Sequence, residues 1–185
     1  MYLWLLYLLL VLACAVTVAT AFFVTGSIIA FGVTRVPFAP TPQRNVGIVI
    51  EKLNLKPGEI FYDLGCGDGR YLIAAGQRGA RATGFELSPW AFLKAKLNLM
   101  RHRSTATLHY QNFYPVSISD ADVVVCFLLD TVMAKVEKKL ERELKPGTRV
   151  ASYGFRLPGW QPIEVVDLKP NSKRFSRIYL YKKPA

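Results

Sequence analysis

Glu59-Ile60-Phe61-Tyr62-Asp63-Leu64-Gly65-Cys66-Gly67-Asp68-Gly69-Arg70 joins a short apolar run to a loop with glycine at alternate positions. The run 59–64 reads as a strand and 69–78 as a helix, so the loop lies between them. Gly65, Gly67 and Gly69 let the backbone turn tightly and approach a ligand with no side chain in the way, beside the partial positive charge of a helix N-terminus. A dinucleotide-binding turn is spaced G-x-G-x-x-G and sets a pyrophosphate on the helix. Here the spacing is G-x-G-x-G and Asp63 precedes it. A carboxylate in that place repels a pyrophosphate and suits a cationic amino group.

Downstream, Gly84-Phe85-Glu86-Leu87 ends a second strand over 82–86, and Glu86 stands 17 residues beyond Gly69. A carboxylate there can accept both hydroxyls of a ribose. A helix over 89–101 follows, opened by Ser88 as cap and Pro89 in its first turn. Strands are expected at 107–110 and at 121–128, the latter apolar enough to be buried on both faces. A helix over 131–144 leads through Lys145-Pro146-Gly147 to a strand at 148–155. The runs 161–168 and 175–181 have no helix between them and read as an antiparallel hairpin closing the sheet. Upstream, Val46, Ile48, Val49, Ile50, Leu53 and Leu55 give a helical apolar pattern that stops at Lys56-Pro57-Gly58. Alternation of strands and helices makes this an α/β chain with a mostly parallel sheet.

The order strand, D-x-G-x-G-x-G, helix, strand, terminal acid resembles the class I S-adenosylmethionine-dependent methyltransferases. That resemblance implies a Rossmann-like, seven-stranded sheet and S-adenosylmethionine as cofactor. It places Asp63, Gly65, Cys66, Gly67, Gly69, Glu86 and Leu87 around the cofactor, and Asn112 and Phe113 at the adenine, unless 112–113 is a plain loop. Asp68 and Arg70 either cap the following helix or orient the loop. In Phe127-Leu128-Leu129-Asp130, at the mouth of the cleft, Asp130 either steers a cationic substrate amine or caps the next helix. The N-P-P-Y sequence that would point to amino groups of bases or of glutamine is absent there. His102 and His109 have no metal-ligand companions, and no metal site or Ser/His/Asp arrangement is visible.

No Asp, Glu, Lys, Arg or His occurs from Tyr2 to Thr34. A helix of that length reaches about 50 Å, whereas a bilayer core is about 30 Å thick. A transmembrane helix is expected over 2–23, with 22–33 extending it or turning along the interface after Gly26. A cleaved signal peptide is the rival reading, but no basic residue precedes the apolar run. Leucines on every face argue against a buried core helix. All 24 basic and 13 acidic residues follow this segment, so the net charge of +11 belongs to the remainder. Arg35 and Arg44, nearest the span, favour the cytoplasmic or matrix side. The basic surface suits anionic headgroups or nucleic acid, or serves solubility alone. Cys14, Cys66 and Cys126 read as free thiols. Val36-Pro37-Phe38-Ala39-Pro40-Thr41-Pro42 is an extended linker, which divides the chain into an anchor (1–34), a linker (35–42) and a catalytic domain (43–185).

Several pieces together are similar to the membrane-anchored protein-lysine methyltransferases that in mitochondria modify the ATP synthase c subunit and the adenine nucleotide translocase. They are that linker, the glycine loop from Tyr62, Glu86-Leu87-Ser88-Pro89-Trp90, Glu137-Lys138-Lys139-Leu140-Glu141-Arg142-Glu143-Leu144 and Phe155-Arg156-Leu157-Pro158-Gly159-Trp160. Cys66 stands where that family often has Ser, and Ser88 where it often has Asn. The resemblance implies methyl transfer to lysine on a protein in or near a membrane, with Trp160 lining a substrate channel and Phe155 either joining it there or, as its apolar surroundings favour, packing in the core. It implies a single-pass protein held in the bilayer by its first helix, its catalytic domain on the cytoplasmic side of a bacterial membrane or the matrix side of a mitochondrial one. A phospholipid N-methyltransferase and a non-catalytic membrane adaptor are the competing functions. An RNA enzyme accounts for the charge but not for the anchor, so nucleic acid is not the expected partner.

Overall fold

Along β1 (Ile60–Leu64) the side chains alternate, Phe61 packing into one apolar cluster and Tyr62 and Leu64 into another. These clusters lie on opposite faces of one sheet, and that strand is its centre. A computed structural model describes residues 2–34, 40–168 and 177–184. Most of the expected linker, 35–39, and the first residues of the expected run 175–181 lie outside them.

β1 pairs in parallel with β2 (Arg81–Glu86) and with β4 (Val123–Cys126). β3 (Thr107–Tyr110) adds in parallel beyond β2, and β5 (Arg149–Tyr153) beyond β4. β7 (Arg177–Lys182) then runs antiparallel between β5 and β6 (Glu164–Asp167). The order β3-β2-β1-β4-β5-β7-β6 makes a mixed seven-stranded sheet of the Rossmann-like class I methyltransferase kind, with the expected hairpin at its edge.

All four residues of β4 are buried, as a strand covered on both faces requires. It is shorter than 121–128, because the Asp122 carboxylate accepts the Ile60 amide at 2.9 Å and the chain past Cys126 leaves the ladder for the cleft. Gly154, at φ 84°, ends β5 before 155. On one face lie α2 (Gln43–Lys52), α3 (Arg70–Gln77) and α4 (Pro89–Arg101), and on the other α5 (Asp130–Glu143). Asn45, Val46, Val49 and Ile50 form the buried stripe of α2, at helical spacing. Ser88 caps α4, accepting the Ala91 amide, with Pro89 in the first turn.

α1 (Tyr2–Thr34) is one continuous helix through Gly26, so of the two courses read for 22–33 the chain extends the helix and does not turn after that residue. Its stretch Tyr2–Ile29 is long and apolar enough to cross a membrane, with a mean hydropathy of 2.5, and most of it is exposed.

β2 passes so close to the glycine loop that a Cβ on Gly84 would lie 2.6 Å from Leu72 Cδ1 and 2.9 Å from Cys66 Cβ. Gly84→Ala therefore overpacks the core behind the loop, at a cost of about 1–3 kcal/mol. The expected result is a lower denaturant midpoint with an unchanged slope; a wild-type midpoint would show that this contact relaxes freely.

Candidate active site

Between β1 and β4 the strand order reverses, and a cavity of about 700 Å³ opens there. That is where open α/β sheets hold ligands, and the volume is of ligand-pocket size. Gly65 at φ 85° starts the loop. The Gly65 and Cys66 amides donate to the Phe85 carbonyl at 3.1 and 2.9 Å, tying the loop to the end of β2. Gly69, at φ 79°, is the N-cap of α3, and a Cβ there would meet Ala95 of α4 at 3.4 Å. Asn98 Nδ2 on α4 donates to the Asp68 carbonyl at 2.9 Å, which anchors the loop from a third element.

Of the two readings for Asp68 and Arg70, the geometry selects loop orientation. α3 has no side-chain cap. Arg70 Nε instead donates to Asp68 Oδ1 at 2.7 Å, and Nη1 donates to the Thr41 carbonyl. The segment entering α2 is thereby tied to the glycine loop.

Asp63 is 2% exposed, and its Oδ2 has no hydrogen-bond partner. Burial, then the Glu86 and Asp68 carboxylates, push its carboxyl well above the usual range. Burial also raises Glu86, against the opposing pull of the Ser88, Gly67 and Leu87 amides. Those amides donate at 2.7, 2.9 and 2.9 Å, two of them to Oε1 and that of Gly67 to Oε2. A carboxylate has about four acceptor positions. One remains free, on Oε2, for a hydroxyl of a ribose. Asp68 is answered by Arg70, but Glu86 and the unpaired, buried Asp63 line the cavity with no side chain among the described residues giving either of them a cation. The ammonium of a methionyl group supplies one, so these residues fit S-adenosylmethionine.

Asp63, Gly65, Cys66, Gly67, Glu86, Leu87, Asn112 and Phe113 all line this cavity. Asn112 Oδ1 accepts the Tyr114 amide at 3.0 Å, which fixes the loop after β3. Gly69 stands behind the lining and shapes the turn. The structure does not bring Asp130 or Trp160 to the cavity. Asp130 is exposed in the first turn of α5, where Oδ1 accepts the Thr131 amide at 2.9 Å. Trp160 is buried in the α5-side core, edge-on to Tyr181 at 6.1 Å, so packing occupies the ring expected in a channel. Phe155 packs partly buried against the same cluster and is likewise outside the lining. Among the described residues no cluster of His, Cys, Asp or Glu could hold a metal.

The lining also includes residues that carried no signal in the sequence. Tyr114, whose buried hydroxyl lacks a partner, follows Asn112-Phe113 directly. Phe23, Ser27 and Ile28 come from α1, whose uniform apolarity marks no face of the helix.

The ANTKMT methyltransferase domain family matches residues 63–164. A protein-lysine N-methyltransferase of Saccharolobus islandicus is 39% identical over 80% of this chain and 94% of its own length. The mouse adenine nucleotide translocase lysine N-methyltransferase is 41% identical over 71% of this chain, which spans 58% of that enzyme. A crystal structure of an RNA methyltransferase from Salinibacter ruber with S-adenosyl-L-homocysteine superposes with a TM-score of 0.73 at 32% identity, covering 79% of this chain and 94% of the other.

The pH behaviour follows from Asp63. Its folded pKa lies above the unfolded one, so the free protein holds that proton more tightly than the unfolded chain. Stability therefore falls as pH rises from the ordinary carboxylate range through the folded value. A cationic ligand requires the ionised form, so its affinity rises over the same window. Asp63→Asn removes both effects. In thermal-shift assays the free variant gains stability at neutral pH. In calorimetry S-adenosylhomocysteine binds on the order of tenfold to a hundredfold more weakly, the scale of one charge-assisted hydrogen bond. Glu86→Ala also weakens binding, without that gain in stability. Wild-type affinity in both variants would overturn the assignment of these carboxylates.

Proposed function

The chain belongs to the ANTKMT methyltransferase family and is an S-adenosylmethionine-dependent methyltransferase, and on that footing we propose that it methylates lysine side chains of a protein in or beside a membrane. What carries the reading is the likeness to the archaeal protein-lysine enzyme over nearly that protein's whole length. The cofactor, when bound, supplies an electrophilic methyl on a sulfonium centre. Asp63 holds the amino group of its methionyl part and Glu86 the ribose, while the loop amides leave the backbone close to both.

An acceptor lysine must arrive at the methyl without its proton. The cavity beyond the carboxylates is walled by Phe127, Leu128 and Val132. Taking an ammonium out of water into such a wall favours its neutral form. Alignment of the amine with the methyl provides much of the remaining rate. Neither Asp130 nor Trp160 carries a role in this scheme. The hydroxyl of Tyr114, buried and unpartnered in the same lining, is the group best suited to accept a hydrogen bond from the acceptor amine.

In the same proposal α1 crosses the membrane. Its Leu3, Trp4 and Leu6 are 81%, 81% and 62% exposed, an apolar surface that water does not accommodate. The organisation is then anchor 1–34, linker 35–42 and catalytic domain 43–185, with the basic residues after the span on the cytoplasmic or matrix side. A second reading, RNA methylation, draws on the Salinibacter neighbour and the charge of +11. The absence of N-P-P-Y after β4 weighs against amino groups of bases.

With the full chain in detergent, tritiated S-adenosylmethionine and membranes of its host, label is expected in protease-sensitive material that yields methylated lysine on hydrolysis. Tyr114→Phe is expected to lower turnover several-fold while cofactor affinity stays unchanged. Label that partitions into organic solvent would assign a phospholipid acceptor, and label removed by ribonuclease an RNA one.

A further inference from the structure

On α1, Phe23, Gly26 and Ser27 are half-buried, whereas most of the helix is exposed. Their spacing puts them on one face of the helix. That face meets the N-terminus of α4. The Phe23 ring stands edge-on to Trp90 at 6.0 Å and 82°. Ser27 Oγ lies 3.5 Å from Ser88 Oγ. The contact is closest at Gly26, where an added Cβ would lie 2.6 Å from Pro89 Cγ. Gly32, in the same helix, would meet nothing within 4 Å.

The contact also forms part of the cleft, since Phe23, Val24, Ser27 and Ile28 line the same cavity as Asp63 and Glu86. Leu87, Ser88 and Trp90 carry that lining from Glu86 to α1. The wall therefore stands at the ribose end of the site. We propose that residues 23–28 of α1 form a wall of the cofactor site, so that the first helix completes the site as well as holding the protein at a membrane. The stretch able to span a bilayer ends at Ile29. The wall is thus the last turns of the anchor, and the cleft opens where the helix leaves the membrane.

This inference rests on the reading of the cavity as the cofactor site, but on no assignment of the acceptor. The test compares the full chain in lipid nanodiscs with Gly26→Leu and Gly32→Leu, which make the same change on a contacting and a non-contacting position. Calorimetry with S-adenosylhomocysteine is the readout. Gly26→Leu is expected to weaken binding by about fivefold or more, the scale of losing one aromatic edge contact, and Gly32→Leu to leave it unchanged. Equal affinities across all three proteins, or equal losses in both variants, would overturn the proposal. If Gly26→Leu unfolds, as judged by its thermal transition, Phe23→Ala decides. It removes the ring without adding bulk, and wild-type affinity there overturns the proposal. No binding by the parent chain would instead strike at the cofactor site itself.

Discussion

Asp63 Oδ2 is buried at the carboxyl end of the central strand with nothing to bond to, and the surrounding structure is organised around it. Leaving a buried acceptor unpaired costs about 1–3 kcal/mol, and more for a charged group. Nothing nearby relieves that cost. The adjacent side chains, Asp68 and Glu86, carry the same charge, and Arg70, the cation that could have answered, is engaged by Asp68 and by the Thr41 carbonyl. The core behind the loop holds this arrangement in place, Phe61 and Leu64 being fully buried on opposite faces of β1. The cluster thus favours a cationic ligand, and the free protein gives up stability to keep this arrangement.

The glycine loop serves this site through its contacts with neighbouring elements. Gly65 and Cys66 bind the end of β2, Gly67 binds the Glu86 side chain, and Gly69 admits Ala95. Each contact holds the loop against β2 or α4. Burial leaves the Cys66 thiol well above its ordinary pKa, so in this loop it acts as a small apolar residue.

Much of this could be read in the sequence, for a physical reason that also fixes where reading stopped. Strand and helix periods follow from backbone geometry, so β3 and α4 begin and end where the pattern puts them. The order of Asp63, the glycines and Glu86 is local information too, because β1, the loop and β2 are adjacent in chain and sheet. Trp160 was different. An aromatic residue in a loop after β5 carries no mark of whether it will face a cleft or fill a core, and the Tyr181 ring, which packs against it, comes from β7. The wall contributed by α1 was hidden for a related reason. In a helix apolar on every side, only the partner, here Trp90 and Pro89, defines a face.

Ser88 shows why such a long-range contact bears on the cofactor. Its hydroxyl accepts the Ala91 amide as the cap of α4 and sits beside Ser27 of α1. Its own amide donates to Glu86 Oε1 at 2.7 Å. The residue therefore stands between α1 and the Glu86 carboxylate. Three amides hold that carboxylate, and two of them, from Leu87 and Ser88, belong to the turn against which α1 packs. A shift of α1 on Pro89 changes the surroundings of that turn before it changes any loop residue. The Asp63 end of the cavity, where Asp68, Arg70 and Asn98 hold the loop, has no such link among the described residues. A displacement of α1 therefore reaches the site through the turn that holds Glu86.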